Sequence, residues 1–521
     1  MKLDELQTRL WSAATNFRAN SSIKLNEISE PILGLIFLKF AENVFNKTTI
    51  KINQDRSNSG RNIPIEPDDY KQFGVPYLDK QARYQYLLNL TDSENIGKKI
   101  NEAMKLIEKD NPDLEGVLPM NYHQIEKGIK ETNRTLSQLL KNFNQIPEDV
   151  EGDAFGDIYE YFLGQFALSE GQKGGEFFTP NSIVKLLINI LDPKKGKFFD
   201  PACGSGGMFV ETANYIEKNN PTDQNILKNI EIFGYEKIEK NLKTAKMNLA
   251  IHGLSGSLVQ NNTYYEDPFE SNGKFDFVYA NPPFNVAGKA KKTGEVVIDP
   301  SELISDNRYD LGLPLAQAGH ITNANYLWVQ IFYSALSNKG RAGFVMADGA
   351  VDGSHAQEEI RKKLIEENSV EAVITISPNL FLNTTISAML WILNKDKIEK
   401  NKKNILFIKA HDIYSDIENE NKVKTVSPNQ IGSIANTVIQ YRNGNYLDIE
   451  NNPGFSKIVN IKDIADENYS LNPGRYVDYK ETPEKNEENK RTVEKFNNEF
   501  SALVELTKKL EDQIFDEKNS Q

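Results

Sequence analysis

Lys197 to Gly207 read KFFDPACGSGG. A short apolar run ends in an acid and a proline, then enters a turn built from small residues. From Met208 to Lys218 the apolar positions recur at helical spacing. The stretch is therefore a strand, a glycine-rich turn and a helix. The same rhythm continues outward. IEIFGYE (Ile230–Glu236) reads as a strand, followed by a helix through Ile238, Leu242, Ala245 and Leu249. FDFVYA (Phe275–Ala280) and RAGFVM (Arg341–Met346) are further strands, a helix lies near Glu358–Glu367, and Val370–Ile376 and Ile386–Leu393 are strands again. Alternating strands and helices predict an α/β, Rossmann-like domain with a mostly parallel sheet.

The flanks differ. Leu3, Leu6 and Leu10 mark one helical face, and a second helix from Asn26 carries Ile28, Ile32, Leu35, Ile36 and Phe40. Gln54 to Asp69 (QDRSNSGRNIPIEPDD) reads as a surface loop. Ile96–Glu108 and Ile129–Phe143 are helical. Beyond the α/β region, Asn472-Pro473-Gly474 is a turn and Glu481–Lys490 a polar tether. Val493, Phe496, Phe500, Leu503, Thr507, Leu510 and Ile514 then form a heptad seam with one polar break. Such a helix packs on its own protein or docks on a partner. The expected division is an N-terminal helical domain (1–150), an α/β domain (151–475) and a C-terminal helical tail (476–521).

At 521 residues the chain has length for two to four domains of about 150 residues. With 39% hydrophobic and 26% charged residues, it has the makeup of an ordinary globular protein. One cysteine, Cys203, excludes an internal disulfide and points to a reducing compartment. With only 5 histidines, it also argues against a structural zinc site, and no metal is expected. The start, MKLDELQTRLW, has no secretory apolar core, and the run Ile32–Leu38 is too short to span a bilayer. The expectation is a cytoplasmic protein with no membrane partner. Its 61 basic and 74 acidic residues give a net charge of -13. Most of its surface should repel nucleic acid, so any action on DNA or RNA needs a local basic lining or a partner's grip.

Three elements carry chemistry. The Gly-rich turn after Asp200 lets backbone approach a ligand at a helix N-terminus. It lacks the GxGxxG spacing, and no GxxxxGK[ST] loop exists in the chain. Alone, it also reads as a tight turn with Asp200 as a cap. Glu236 ends the next strand, where an acid can hold two ribose hydroxyls; alone, it is an ordinary strand-end carboxylate. Asn281-Pro282-Pro283-Phe284 decides between these readings. The prolines end a strand and leave carbonyl acceptors free, Asn281 adds a side-chain carbonyl, and Phe284 offers an aromatic face. Two acceptors beside a stacking ring suit an exocyclic amine on a planar ring.

Phe178-Thr179-Pro180, then DPACGSGG, then NPPF, in that order, resemble the DNA amino-methyltransferases that use S-adenosylmethionine and modify adenine N6. LWSAATNFRAN (Leu10–Asn20) with PILGLIFLKFAENVF (Pro31–Phe45), GEFFTP (Gly175–Pro180) and YSLNPGRYV (Tyr469–Val477) narrow the resemblance to the modification (M) subunit of type I restriction-modification systems. It covers nearly the whole chain and is weakest across Lys47–Lys141.

The resemblance implies a methyltransferase catalytic domain within 151–475. It assigns S-adenosylmethionine contacts to Glu176, Phe177, Phe178, Thr179, Pro180 and Asn181, to Ser205, Gly206 and Gly207, and to Glu236 at the ribose. Asp200 falls near the methionine portion. Asn262 stands where the family often has an acid near the cofactor adenine. Catalysis rests on Asn281, Pro282, Pro283 and Phe284, with the adenine extruded from double-stranded DNA and stacked on Phe284. The implied partners are a specificity (S) subunit, a second M subunit and, in the full complex, a restriction (R) subunit. Lys289, Lys291 and Lys292 read either as phosphate contacts or as a solvated loop. Asn-Pro-Pro-aromatic motifs also occur in enzymes that methylate glutamine side chains or RNA, and a cofactor-binding scaffold without turnover is a third reading.

Overall fold

Leu6, Leu10, Ala14 and Phe17 repeat at spacings of four and three, and in the computed structural model they bury one face of helix Leu3–Ala19. The structure describes residues 3–19, 25–58, 64–91, 94–123, 132–147, 154–170, 179–223, 225–290, 293–377, 380, 388–411, 413–416, 424–450, 452–477 and 500. Helix Leu25–Asn58 is buried nearly all round from Ile32 to Leu38, as befits the central member of a helical bundle. Gly34 is required there. A Cβ on it would meet Pro119 Cγ at 2.4 Å and the Tyr122 hydroxyl at 2.5 Å. Around it pack Ile96–Asp110, Thr132–Phe143 and Ala154–Glu170. This last helix lies beyond residue 150, yet its Ile158, Tyr159, Phe162 and Phe166 sit in the helical core, with Trp11 edge-on to both phenylalanines.

The expected loop at Gln54–Asp69 is corrected at both ends. Helix Leu25–Asn58 takes in Gln54 to Asn58, and Pro67–Lys71 forms a helical turn. Polar composition cannot tell a loop from the solvated side of a long helix: Ile52 is buried on one side while Arg56 pairs with Asp69 at 2.7 Å on the other.

The α/β part is a nine-stranded sheet. Its strands are β1 (Gly196–Asp200), β2 (Ile230–Glu236), β3 (Ser257–Gln260), β4 (Phe275–Ala280), β5 (Leu336–Ala347), β6 (Val370–Ile376), β7 (Ala388–Asn394), β8 (Asn404–Ala410) and, after the small β9 (Ser415–Asp416) and β10 (Lys424–Thr425) pair, β11 (Ser456–Asn460). The order is β11-β8-β6-β7-β5-β4-β1-β2-β3. β3, β2, β1, β4 and β5 run parallel, β7 is antiparallel to both β5 and β6, and β11 closes the edge antiparallel to β8. Phe198 aligns with Ile232 on one side and Phe277 on the other, stacking on Phe277 at 5.1 Å. β1 has chain-order neighbours on one side and β4 on the other, so the topological switch point lies between β1 and β4. Ligands in open α/β sheets bind at the carboxyl ends of strands there.

Among the described residues no helix is long and apolar enough to cross a membrane. The tail seam from Val493 to Ile514 lies outside the described residues, save Phe500.

Candidate active site at the carboxyl edge of the sheet

β1 ends at Asp200, β2 at Glu236, β3 at Gln260 and β4 at Ala280, and all four ends open on the same edge. The glycine-rich turn lies across the end of β2, because the Cys203 N–H donates to the Tyr235 carbonyl at 2.9 Å. Gly206 has φ +77° and caps helix Gly207–Asn219. Its missing side chain serves packing as well as backbone: a Cβ would stand 3.0 Å from Leu249 Cδ1 of helix Glu239–Ile251. Gly207 differs, since a Cβ there meets nothing within 4 Å. The Ser205 carbonyl accepts from Asn248 Nδ2 at 3.0 Å.

Glu236 is buried, and its carboxylate joins the two turns. One oxygen accepts from the Gly204 N–H at 3.0 Å and the other from Ile238 N–H at 2.7 Å. Asp200, 2% exposed, accepts from the Ala202 N–H at 2.9 Å. Burial pushes its carboxyl well above the usual range, against the pull of that hydrogen bond, and the neighbouring Glu236 charge adds to the rise. Burial likewise pushes the Cys203 thiol well up, which makes it inert rather than nucleophilic. The loop after β3 closes on this turn: Thr263 Oγ1 donates to the Pro201 carbonyl at 2.7 Å and Asn261 N–H to the Glu236 carbonyl at 3.1 Å. Asn262 stands half-exposed between them, its carbonyl accepting from the Tyr265 and Glu266 N–H groups.

Asn281 follows β4 directly. Its Nδ2 donates to Thr179 Oγ1 at 2.9 Å, which brings together two motifs far apart in the chain. Thr179 and Pro180 lead into helix Asn181–Leu191, whose first residue is exposed. Glu176, Phe177 and Phe178 lie outside the described residues. Pro282 is buried and Pro283 half-buried. Phe284 corrects an expectation. The ring is 6% exposed and belongs to the hydrophobic core, rather than offering an open face. An apolar ring with no base against it is more stable covered by its own protein.

A further residue escaped the sequence reading. Asn325 starts helix Asn325–Ala335, and its side chain makes a reciprocal pair with Asn285. The Asn285 N–H donates to Asn325 Oδ1 at 2.7 Å, and Asn325 Nδ2 donates to Asn285 Oδ1 at 3.0 Å. This holds Asn285 at φ +61°, the left-handed turn that follows Phe284. The only trace in sequence is the Asn323-Ala324-Asn325 run before a helix, and it does not reveal a contact 40 residues away. Lys289 pairs by backbone with Val296, while Lys291 and Lys292 lie outside the described residues.

Next to this turn, Asn323 bridges to Ala287, and Thr322 Oγ1 accepts from Gln357 Nε2 at 2.9 Å. There a cavity of about 720 Å³ opens, lined by Leu315, Gln317, Thr322, Gly353, His355 and Gln357 among others. The segment Tyr469–Val477 braces its wall from behind. Ser470 Oγ and Asn472 Nδ2 both donate to the Asp352 carboxylate, Leu471 N–H donates to the Val351 carbonyl at 3.0 Å, and the buried Arg361 donates to the carbonyls of Gly353 and Tyr469.

The arrangement can hold a ligand between two buried carboxylates and a glycine-rich helix start, beside acceptors on a proline-locked turn. Comparison with known proteins identifies the family. Residues 150–485 match the N-6 DNA Methylase family model and residues 6–143 the HsdM N-terminal domain. The chain is 34% identical to the MjaIX type I restriction enzyme methylase subunit of Methanocaldococcus jannaschii, over 91% of this chain and 84% of that protein. It is 32% identical to the HindI type I methylase subunit of Haemophilus influenzae, over 79% of this chain and 88% of that one. The crystal structure of a type I restriction-modification methyltransferase subunit from Streptococcus thermophilus superposes with a TM-score of 0.73 at 21% identity, covering 92% of this chain and 100% of that one, and so shares its fold. The chain belongs to the N-6 DNA methylase family, as an adenine-specific DNA methyltransferase of the kind that forms the methylase subunit of type I restriction enzymes.

Proposed function

We propose that the carboxyl edge binds S-adenosylmethionine beside an adenine extruded from double-stranded DNA, and that Asn281 to Phe284 direct the amine in methyl transfer. The carrying observation is the hydrogen bond from Asn281 to Thr179, which sets the catalytic turn against the expected cofactor segment. The residues suit that cofactor. A donor with a positively charged sulfonium and amino group fits an edge with two buried acidic side chains, where the Glu236 carboxylate lies close enough to help raise the proton affinity of Asp200. Thr179, Pro180, Asn181, Asp200, Ser205, Gly206, Gly207, Glu236 and Asn262 are the described residues that would hold it. When bound, S-adenosylmethionine supplies the electrophilic methyl group.

The chain's own residues do the rest. The adenine amine is a weak nucleophile because its lone pair is delocalised into the ring. The Asn281 Oδ1 and the Pro282 carbonyl accept from its two N–H groups and favour a pyramidal nitrogen with its lone pair free to attack. Thr179 Oγ1 takes the other end of the Asn281 carboxamide and so fixes which end faces the amine. Phe284 must exchange its present packing for the extruded base, and the Asn285–Asn325 pair holds the backbone on which it turns.

A net charge of -13 leaves the grip on DNA to partners. In this reading the chain works in the cytoplasm with a specificity subunit that reads the DNA site, a second methylase subunit, and a restriction subunit in the full complex. Incubating that assembly with labelled S-adenosylmethionine and duplex DNA tests the proposal. Label at adenine N6, lost on substitution of Asn281, supports it; label in protein or RNA instead would refute it.

A further inference from the structure

At the opposite, amino edge of the sheet lies a separate cleft of about 330 Å³, lined by Asp192, Lys194, Lys195, Phe277, Arg341 and Arg442 among others. Its cations are not equivalent. Arg442 ends helix Pro428–Arg442 and is fully employed. It pairs with the buried Glu371 of β6 at 2.7 Å, and its Nη1 donates to the Ile190 carbonyl at 2.9 Å, closing the end of helix Asn181–Leu191. Asp192 is employed too: its Oδ1 accepts from the Tyr215 hydroxyl at 2.8 Å, and its Oδ2 lies 3.9 Å from Lys194 Nζ.

Arg341 is different. It sits in β5 opposite Phe277 of β4, and its guanidinium lies over that ring, 5.2 Å from the centroid. Among the described residues its guanidinium makes no hydrogen bond and no ion pair, although the residue is half-buried. Burial and the like charge of Arg442 pull its proton affinity down to a pKa of about 10, against the opposing charges of Glu371 and Asp192. Capping of helix ends does not explain it, because Arg442 already performs that role. A solvated lysine pair explains Lys194 and Lys195 but not a half-buried arginine. Four cations thus face two carboxylates, Asp192 and Glu371, in a protein that is acidic as a whole.

We infer that this cleft is a binding site for a phosphate-class oxyanion, with the Arg341 guanidinium as its principal donor. A guanidinium fork matches phosphate oxygens in pairs, and stacking on Phe277 holds the fork ready. A net excess of two positive charges complements a dianion better than a single carboxylate. The oxyanion belongs to free phosphate or to the phosphate chain of a nucleotide, and the site is independent of the methyl-transfer reading.

The test is calorimetric titration of the full-length chain, at low ionic strength in a phosphate-free buffer, with inorganic phosphate and with pyrophosphate. Arg341→Met keeps the aliphatic contact with Phe277 and removes the fork; Arg341→Lys keeps the charge alone. We expect saturable binding to the wild type, weakened at least tenfold by Arg341→Met and less by Arg341→Lys. Tighter pyrophosphate identifies a nucleotide's phosphate chain as the source, and equal affinities identify free phosphate. Thermal melting gives a second reading. Without phosphate, Arg341→Met should melt no lower than the wild type, since it removes a half-buried guanidinium that has no hydrogen-bond partner among the described residues and is repelled by Arg442, and only the wild type should gain stability when phosphate is added. Absent binding, equal binding to all three proteins, or a lower melting temperature of Arg341→Met in phosphate-free buffer would overturn the inference.

Discussion

Asn281 Nδ2 and Thr179 Oγ1 meet at 2.9 Å across 102 residues of chain. The bond makes the asparagine proposed as catalytic a two-ended group, with one end tied to the protein and the other left for the amine in that proposal. Asn281→Ala should lower single-turnover methylation about a hundredfold or more, the scale for losing a preorganised polar partner, with little change in cofactor affinity. Thr179→Val leaves Asn281 in place but unorients it, and about a tenfold loss is expected. Near-normal turnover in Asn281→Ala would remove the amine-positioning mechanism.

Glu236 carries a double load in the proposed site, because the carboxylate assigned there to the ribose also accepts from the Gly204 and Ile238 N–H groups. Glu236→Ala should weaken S-adenosylmethionine binding tenfold or more, as charge-assisted hydrogen bonds are worth about 1.5–3 kcal/mol, and should also lower the melting temperature. The two glycines separate these effects. Gly206→Val meets Leu249 and a positive φ, so it should cost folded protein. Gly207→Ala meets nothing within 4 Å and should melt normally while binding cofactor less tightly. Calorimetry on the two variants, set against their melting curves, checks the contrast.

Burial pushes the Glu211 carboxyl up to about 7, with Glu160 adding to the rise and Lys185 and Lys218 opposing it. The native state therefore keeps a proton that the unfolded chain releases near the ordinary value of 4.5. The native protein holds its full share of stability below that value, loses it as pH climbs toward about 7, and has lost all of it above. Glu211→Gln should stabilise the protein at pH 8, by at most about 3.5 kcal/mol at roughly 1.4 kcal/mol per pK unit, and the gain should fade toward pH 5. Parallel melting profiles of variant and wild type across that range would exclude this account.

Ending the chain after Lys480 removes the Val493–Ile514 seam. Six apolar seam positions, at about 1.5–3 kcal/mol for each full burial, are a strong docking element even after ordering costs. The shortened chain should fold and bind cofactor but co-purify poorly with its partner subunits and methylate weakly. Full assembly and normal methylation by the shortened chain would assign the seam to the protein's own fold.

The strands were legible where apolar runs stand between turn signals: Ile230–Glu236, Phe275–Ala280 and Val370–Ile376 appear with those bounds. The Gly-rich turn and the Asn-Pro-Pro-Phe turn were legible because glycine and proline write backbone geometry directly into sequence. What stayed hidden depends on distant partners. Asn325 looks like any helix-start asparagine until Asn285 is opposite it. The aromatic character of Phe284 is plain in sequence, whereas its burial depends on what packs over it. Gln54 to Asn58 shows the converse failure, since a polar helix face and a loop share one composition.

The brace on Asp352 also sets an order in time. The chain segment after β5 leaves the ribosome 118 residues before Ser470, its partner, has been made. At ordinary elongation rates that gap is on the order of ten seconds. During it the nascent chain already owns the glycine-rich turn and the Asn281 turn, but the wall beside them has no brace. The site is completed only by nearly the last part of the α/β region to be synthesised, so chains broken off early are left with an unfinished wall.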